Sequence, residues 1–160
     1  DRRFCMGNHE EWLTAFVEAH PYLTDYKYET LSGVIERGYK LYPAGEYFNI
    51  GKLHFYHGHH FGGQYHTANH LRKLGVSIMY GHYHSMQMMS ATGLQGPIEA
   101  WCIGCLKDMS SEKNKWLKGR PHQWMHSFAI VDFYKGGDFA VTPVKIVDGK
   151  ATLWGSTLKG

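Results

Sequence analysis

Three short segments of the sequence combine glycine with histidine or asparagine, whose side chains can bind metal ions or act near neutral pH. They are Gly7–Glu10, His57–Gly58 and Gly81–His84. Imidazole nitrogens and amide oxygens suit Zn, Mn, Fe or Co better than Ca or Mg alone. Histidine is also unusually frequent, with 12 residues in a chain of 160. These segments are therefore the first candidates for a metal or catalytic site.

Each of the three segments follows a stretch that is predicted to be a strand. Arg3–Met6, Lys52–Tyr56 and Val76–Tyr80 are short and largely apolar, and each ends where one of the segments begins. In layered α/β folds, ligands collect at the carboxyl ends of strands, because backbone and side chains converge there. Glycine allows the sharp turn and lets a ligand approach the backbone. The spacing therefore predicts one site built from several strand ends.

The rest of the sequence divides into a helical first part and a β-rich second part. Asn8 is a candidate N-cap of a helix with Trp12, Phe16 and Ala19 at helical spacing. Tyr22–Gly38 is mixed and mostly helical, and His66–Leu74 is predicted to be a helix that stops at Gly75. Asp148-Gly149 predicts a tight hairpin. The other predicted strands are Tyr39–Tyr42, Tyr47–Ile50, Gln87–Ala91, Ile98–Ile103, Ser127–Tyr134, Phe139–Val147 and Ala151–Trp154.

The three segments, in this order and each at a predicted strand end, resemble the motifs of the calcineurin-like metallophosphoesterase superfamily. Gly7–Glu10 followed by a helix is similar to its Gly-Asn-His-Asp/Glu motif. His57–Gly58 is similar to its isolated metal-binding histidine, and Gly81–His84 to its Gly-His-x-His motif. The resemblance covers the chain from Arg3 to about His84. It implies an α/β fold of the layered α/β/β/α sandwich type and hydrolysis of a phosphomonoester or phosphodiester.

The same resemblance implies a role for each polar residue. Asn8, His57 and His82 would bind one metal ion, and His84 would bind a second. His9 would bind no metal and would lie near the scissile phosphate, where an imidazolium can stabilise charge or protonate the leaving oxygen. The cofactors would be two divalent transition-metal ions (Mn, Fe, Zn or Co), which activate a hydroxide for attack on phosphorus.

One part of the family pattern is missing. The family also has Asp-x-His and Gly-Asp motifs that supply ligands to both metals, and only six residues precede Gly7. His84 would then be the only ligand of its metal. We therefore expect residues 1–160 to form a single, incomplete metallophosphoesterase domain, truncated at the N-terminus, with little or no activity alone. The alternative is a non-catalytic metal-binding or scaffold protein of the same fold, with Asn8, His57 and His82 as a single site.

The sequence leaves the phosphoester substrate open, and two sets of residues bear on it. His59 and His60 are candidates for substrate binding, or they are exposed polar residues of the loop His57–Gly63. A polar stretch with five basic residues indicates either a solvated loop or contact with nucleic-acid phosphates. These residues are Lys107, Lys113, Lys115, Lys118 and Arg120. A nucleotide or nucleic acid is therefore one alternative among the phosphoesters.

Two other groups of side chains have weaker metal-binding patterns. His66 and His70 stand four residues apart on a predicted helix, a spacing that zinc can use, although a lone pair is more often one face of a helix. Cys5, Cys102 and Cys105 are candidates for a zinc or thiol module, but they lack zinc-finger spacing. Because Ile98–Leu106 is an apolar, strand-like run, core thiols are the simpler interpretation.

Composition limits the remaining classes of protein. The apolar fraction of 43% and the aromatic fraction of 15% predict a folded globular chain. A net charge of +3 is too small to indicate a nucleic-acid partner by itself. No apolar run approaches the roughly 20 residues of a membrane-spanning helix, so we expect no membrane partner. Three cysteines fit a reducing compartment, which favours the cytoplasm. Nothing in the sequence indicates an oligomeric state.

Overall fold

The computed structural model describes all 160 residues and shows a mixed α/β fold with three α-helices and three β-sheets. The helices are α1 (Asn8–Ala19), α2 (Tyr28–Ser32) and α3 (His66–Leu74). Short 3-10 helices cover Pro21–Tyr26 and Lys115–Leu117. None of the helices has the length and apolar character needed to cross a membrane.

A mixed five-stranded sheet forms the centre of the structure. Its strands are β3 (Phe48–Ile50), β4 (Leu53–Phe55), β5 (Ser77–Tyr80), β6 (Met86–Gly93) and β7 (Gly96–Ile103), in the spatial order β3-β4-β5-β7-β6. The β4–β5 and β5–β7 pairs are parallel, and the outer pairs are antiparallel. All four residues of β5 are buried, as expected for the central strand of a parallel arrangement.

The other two sheets are smaller. Strands β1 (Arg2–Cys5) and β2 (Tyr39–Tyr42) form a parallel pair. Strands β8 (Ser127–Phe133), β9 (Phe139–Val147), β10 (Lys150–Leu153) and β11 (Ser156–Lys159) form an antiparallel sheet in the spatial order β11-β10-β9-β8. A single bridge between Cys105 and His126 links the segments that join β7 to β8.

The main apolar core lies between α3 and the central sheet. Leu71 of α3 packs there with residues of β5 and β7, among them Ile78 and Ala100. The helix turns its polar residues Arg72 and Lys73 to solvent. It ends where Gly75 adopts a left-handed conformation with φ of 66°. Because β5 is packed against α3 in this way, the position from which the next residues leave the sheet is fixed.

The structure confirms most of the predicted elements and corrects two details. The segment Tyr22–Gly38 is a 3-10 helix followed by α2, with a turn at Gly33. Trp154 does not belong to the preceding strand: it forms a turn with Gly155, and both have positive φ. This two-residue turn starts β11, a strand that the sequence did not predict, because a tryptophan at positive φ is an uncommon turn residue.

Candidate metal centre

Two of the three candidate segments lie side by side because β4 and β5 are parallel neighbours. His57 follows β4 and His82 follows β5, so both emerge at the same edge of the sheet. The carbonyl of His57 accepts hydrogen bonds from the backbone N–H groups of Gly81 (3.2 Å) and His82 (3.0 Å). These bonds fix the two strand ends to each other. The predicted convergence at strand ends is therefore confirmed for this pair.

The third segment arrives from the first helix. Gly7 is the N-cap of α1, and its backbone N–H donates a hydrogen bond of 2.7 Å to Glu10 Oε2. Asn8 is the first helical residue, and its side chain makes no capping hydrogen bond. The prediction that Asn8 caps the helix is therefore wrong by one position. The side chain is left free, and it turns towards His57.

Asn8 and His82 both contact the same ring nitrogen of His57. His57 Nε2 lies 3.1 Å from Asn8 Oδ1 and 2.9 Å from His82 Nδ1. The imidazole of His57 also lies flat against Gly7, where an added Cβ would sit only 2.4 Å from the nearest ring atom. Glycine is therefore required at position 7 by this close approach rather than by its backbone angles.

Burial keeps both imidazoles neutral near pH 7. Desolvation, with a further contribution from neighbouring histidines, lowers the pKa of His57 and of His82 from the usual value to about 4. For His57 the largest of these neighbours is His82, and for His82 it is His59. A neutral imidazole has a lone pair available for a metal ion.

The three side chains fit a single transition-metal ion. Ligands held at about 2.0–2.1 Å from a tetrahedral or octahedral ion lie about 2.9–3.4 Å apart, which matches both measured separations. Two imidazoles and an amide oxygen suit Zn, Mn, Fe or Co. The ring of His59 lies 5.7 Å from that of His57 between centroids, and its buried Nδ1 has no hydrogen-bond partner. No group of three or more His, Cys, Asp or Glu side chains has metal-binding geometry, so Asn8 is essential to the set.

His84 is close enough to lower the pKa of His57 and His82, but it does not take part in their contact. It has a positive φ of 56° and makes no hydrogen bond to Asn8, His57 or His82. Its ring packs edge-on to Trp124, with the ring centroids 5.1 Å apart. Burial lowers the pKa of His84, and the positive charge of Lys107 lowers it further. Because no other metal-binding side chain accompanies His84, the residues present do not fit a second metal ion.

The remaining candidates, His9, His59 and His60, differ in their positions relative to the cluster. His9 is exposed on the first turn of α1, and its ring packs edge-on to Trp12 at 4.8 Å between centroids. The ring of His59 lies 5.7 Å from that of His57 between centroids. His60 is exposed and turns away, with its Nδ1 3.2 Å from the hydroxyl of Tyr47. Of the two loop histidines, only His59 therefore lies beside the cluster.

Behind the cluster lies a buried polar network that the sequence did not reveal. His70 Nδ1 donates to the carbonyl of His66 at 2.6 Å, and the hydroxyl of Tyr56 bonds to His70 Nε2. His66 Nδ1 contacts the hydroxyl of Tyr80 at 2.6 Å, and its Nε2 contacts Ser85 Oγ at 2.9 Å. His66 and His70 therefore lie on one helix, as predicted, and each of their ring nitrogens contacts a protein group. One signal in the sequence that could have indicated this network is that Tyr56 and Tyr80 directly precede His57 and Gly81.

The cysteines do not form a site of their own. All three are free thiols, with Cys5 on β1 and Cys102 on β7 in different sheets. Burial raises the pKa of Cys5 to about 11, and burial also raises the pKa of Cys102. The sulfur of Cys102 accepts a weak hydrogen bond from Ser85 Oγ at 3.8 Å. Thiols of this kind are packing residues.

Comparison of the chain with models of protein families, with curated proteins and with solved structures found no match. The case for a function therefore depends on the geometry of the candidate metal centre and on the three motifs.

Proposed function

We propose that this chain is a metal-dependent phosphoesterase related to the calcineurin-like metallophosphoesterases. The observation that carries the proposal is that His57 Nε2 lies 3.1 Å from Asn8 Oδ1 and 2.9 Å from His82 Nδ1. These are the three residues to which the family resemblance assigns one shared metal ion. Their convergence from α1, β4 and β5 is not required by local sequence.

The surroundings of this site suit an anionic substrate. Its three donors are neutral, so the charge of a bound divalent ion would remain available to an anion. The backbone N–H groups of the first turn of α1 add a partial positive charge at the same place. An ion there would polarise a phosphoryl oxygen and lower the pKa of water, which is the chemistry of metal-assisted hydrolysis.

His9 is the proposed proton donor or charge-stabilising group. It is the second residue of α1, directly after Asn8, and its exposed imidazole is accessible to a substrate. An imidazole in this place can protonate a leaving oxygen or stabilise charge on the phosphate. His59, whose ring centroid lies 5.7 Å from that of His57, is the better placed of the two proposed substrate-binding histidines.

The proposal departs from the dinuclear expectation at one point. His84 has no second metal-binding side chain beside it, so we propose one ion at Asn8, His57 and His82 and no step that needs a second ion.

The finer parts of the proposal are a layered α/β/β/α sandwich, a single domain over residues 1–160 and a cytoplasmic location. The three observed sheets, with α3 packed against the central one, support the first of these.

A combined assay of metal content and hydrolysis tests this function. We expect the purified chain to bind one Mn²⁺ and to hydrolyse bis(p-nitrophenyl) phosphate slowly. The His82→Ala variant should lose both properties. The His9→Ala variant should keep the metal and lose most of the rate, because His9 is not a ligand. Loss of the metal from the His9 variant would contradict its assigned role.

A second function, non-catalytic metal binding, is favoured by the absence of any carboxylate cluster with metal-binding geometry. Stoichiometric binding of Mn²⁺ without hydrolysis above the metal-free background would support it. Failure to bind any transition metal would contradict both functions.

A further inference from the structure

The segment that joins β7 to β8 forms an aromatic and cationic surface beside the candidate metal centre. We call residues 106–124 the Lys107 loop. Lys107 Nζ lies 5.1 Å from the ring centroid of Trp116 and 4.7 Å from that of Trp124. The two tryptophan rings are tilted by 42°, with their centroids 5.6 Å apart. An ammonium shared between two indole rings is held by cation–π attraction to both.

A buried asparagine gives this loop a defined shape. Asn114 is 8% exposed, and its Nδ2 donates hydrogen bonds to the carbonyls of Asp108 (2.9 Å) and Ser110 (2.8 Å). Its Oδ1 accepts a hydrogen bond of 2.6 Å from Lys107 Nζ. An ammonium has three donors, so two remain for a ligand. Lys107 is therefore positioned by the protein rather than extended freely into solvent.

The loop adjoins the site through His84. The carbonyl of His84 accepts a hydrogen bond of 2.7 Å from the N–H of Met125, and the ring of Trp124 packs edge-on to the His84 ring. The Lys107 loop would therefore lie next to a substrate whose phosphate is bound at the metal centre. Trp116, which is 54% exposed, presents free indole surface there.

The positive charge of the chain is concentrated in the same loop. The chain has 17 basic and 14 acidic residues, a net charge of +3. The loop has five of the basic residues and only Asp108 and Glu112 among the acidic ones, so the rest of the chain is balanced. A surface that joins concentrated positive charge to exposed tryptophan complements a ligand with an aromatic ring and several phosphates.

The geometry points to the Lys107 loop as the surface that binds the base and a flanking phosphate of a nucleotide or of a single-stranded nucleic acid. Trp116 stacks on the base, and the ammonium of Lys107 contacts the phosphate. This inference rests on the proposed phosphoesterase function and names the substrate class of that site. Duplex DNA does not fit, because its bases are already stacked on one another.

Binding in the presence of EDTA tests the inference without requiring hydrolysis. The probes are a labelled oligothymidylate of about 12 nucleotides and an abasic strand of equal length and charge, compared by fluorescence anisotropy. We expect the oligothymidylate to bind about tenfold more tightly, as one stacked base would provide. The Trp116→Ala variant should lose this preference, and Trp116→Phe should retain most of it. Trp154→Ala is the matched control, because Trp154 is 80% exposed in a separate hairpin.

Two further measurements test the phosphate contact and distinguish a free nucleotide from a single-stranded nucleic acid. Lys107→Met should weaken the binding of both strands and reduce the salt dependence by about one phosphate contact. If thymidine monophosphate displaces the probe at low concentration, the ligand of this surface is a nucleotide. If only oligonucleotide strands displace it, the ligand is a single-stranded nucleic acid. Equal affinity for the two strands, or no binding of either, would overturn the inference. Neither result would affect the metal and hydrolysis tests of the proposed function.

Discussion

Two pairs of histidines, each within one region of the molecule, differ in how their ring nitrogens are used. In the buried pair, His66 and His70, all four ring nitrogens contact a protein group: two hydroxyls of tyrosine, one of serine and one carbonyl. In the site pair, His57 Nε2 contacts both His82 Nδ1 (2.9 Å) and Asn8 Oδ1 (3.1 Å).

The comparison shows that a lowered pKa does not separate a functional histidine from a structural one. Burial lowers the pKa of His57 and His82 in the site pair, and of His66 in the buried pair, to about 4. The partners distinguish the pairs. Hydroxyl and carbonyl groups contact the ring nitrogens of the buried pair, whereas in the site pair one imidazole nitrogen contacts a second imidazole and an amide oxygen. Only the second arrangement brings together the side chains that the proposed metal ion requires.

The largest expected effect concerns the stability of the buried pair. His70 is 0% exposed, so His70→Ala leaves a cavity and an unpartnered Tyr56 hydroxyl. We expect the free energy of unfolding to fall by about 3–5 kcal/mol. Urea denaturation followed by circular dichroism measures it. Tyr56→Phe, which removes only the hydroxyl, should cost about 1–3 kcal/mol. If the His70→Ala variant were as stable as the parent, that result would contradict the structural role assigned to the buried pair.

The next effect concerns metal affinity at the site pair. His57→Ala removes one of three ligands, so we expect the affinity for Zn²⁺ or Mn²⁺ to fall by more than about 100-fold. The matched control is His60→Ala, because His60 is exposed and turned towards Tyr47. Isothermal titration calorimetry measures both variants. Equal affinity in parent and His57→Ala would place the metal elsewhere.

The two pairs together predict how stability depends on pH. Folding lowers the pKa of His57, His66 and His82 to about 4, whereas in the unfolded chain these histidines titrate near 6.5. The unfolded state therefore binds more protons below about pH 6.5, and stability decreases as the pH falls from there towards 4. We expect the metal-free protein to be at least about 2 kcal/mol less stable at pH 5 than at pH 7.5. Urea denaturation at both pH values would show a flat profile if these histidines titrated normally.

The smallest effect concerns the fit of His57 against the backbone. In Gly7→Ala the new Cβ would meet the imidazole of His57 at 2.4–2.7 Å, so the ring must shift. We expect metal affinity to fall about tenfold, since small displacements of ligands weaken a metal site. Gly81→Ala is the control, because a Cβ there makes only ordinary contact at 3.7 Å. If both variants kept full affinity, the close packing at Gly7 would be irrelevant to the site.

The sequence predicted the elements that present the site well, because their signals are local. His66–Leu74 has the observed bounds of α3, with the left-handed Gly75 after it. Phe139–Val147 has the observed bounds of β9, and the Asp148-Gly149 turn has positive φ at both residues. The segments that contain Asn8, His57 and His82 were correctly placed at element ends. The contact between His57 and His82 depends on β4 and β5 being parallel neighbours, which the general rule for strand ends anticipated.

Features that depend on tertiary partners could not be predicted in this way. The bond between Tyr56 and His70 spans 14 residues, and that between His66 and Ser85 spans 19, with no local pattern to link them. The placement of Lys107 between two tryptophans depends on a buried asparagine within an irregular loop. The cap of α1 was missed because the N-cap is Gly7, which has no capping side chain, while Glu10 accepts the hydrogen bond of its backbone N–H.

A titration of the ¹⁵N-labelled protein with Zn²⁺, followed through the histidine ring nitrogens by NMR, tests the central claim most directly. We predict that His57 Nε2 and His82 Nδ1 shift together and saturate at one equivalent, while the ring nitrogens of His66 and His70 stay unchanged. Shifts confined to other histidines, or no saturable shift, would contradict a metal centre at Asn8, His57 and His82.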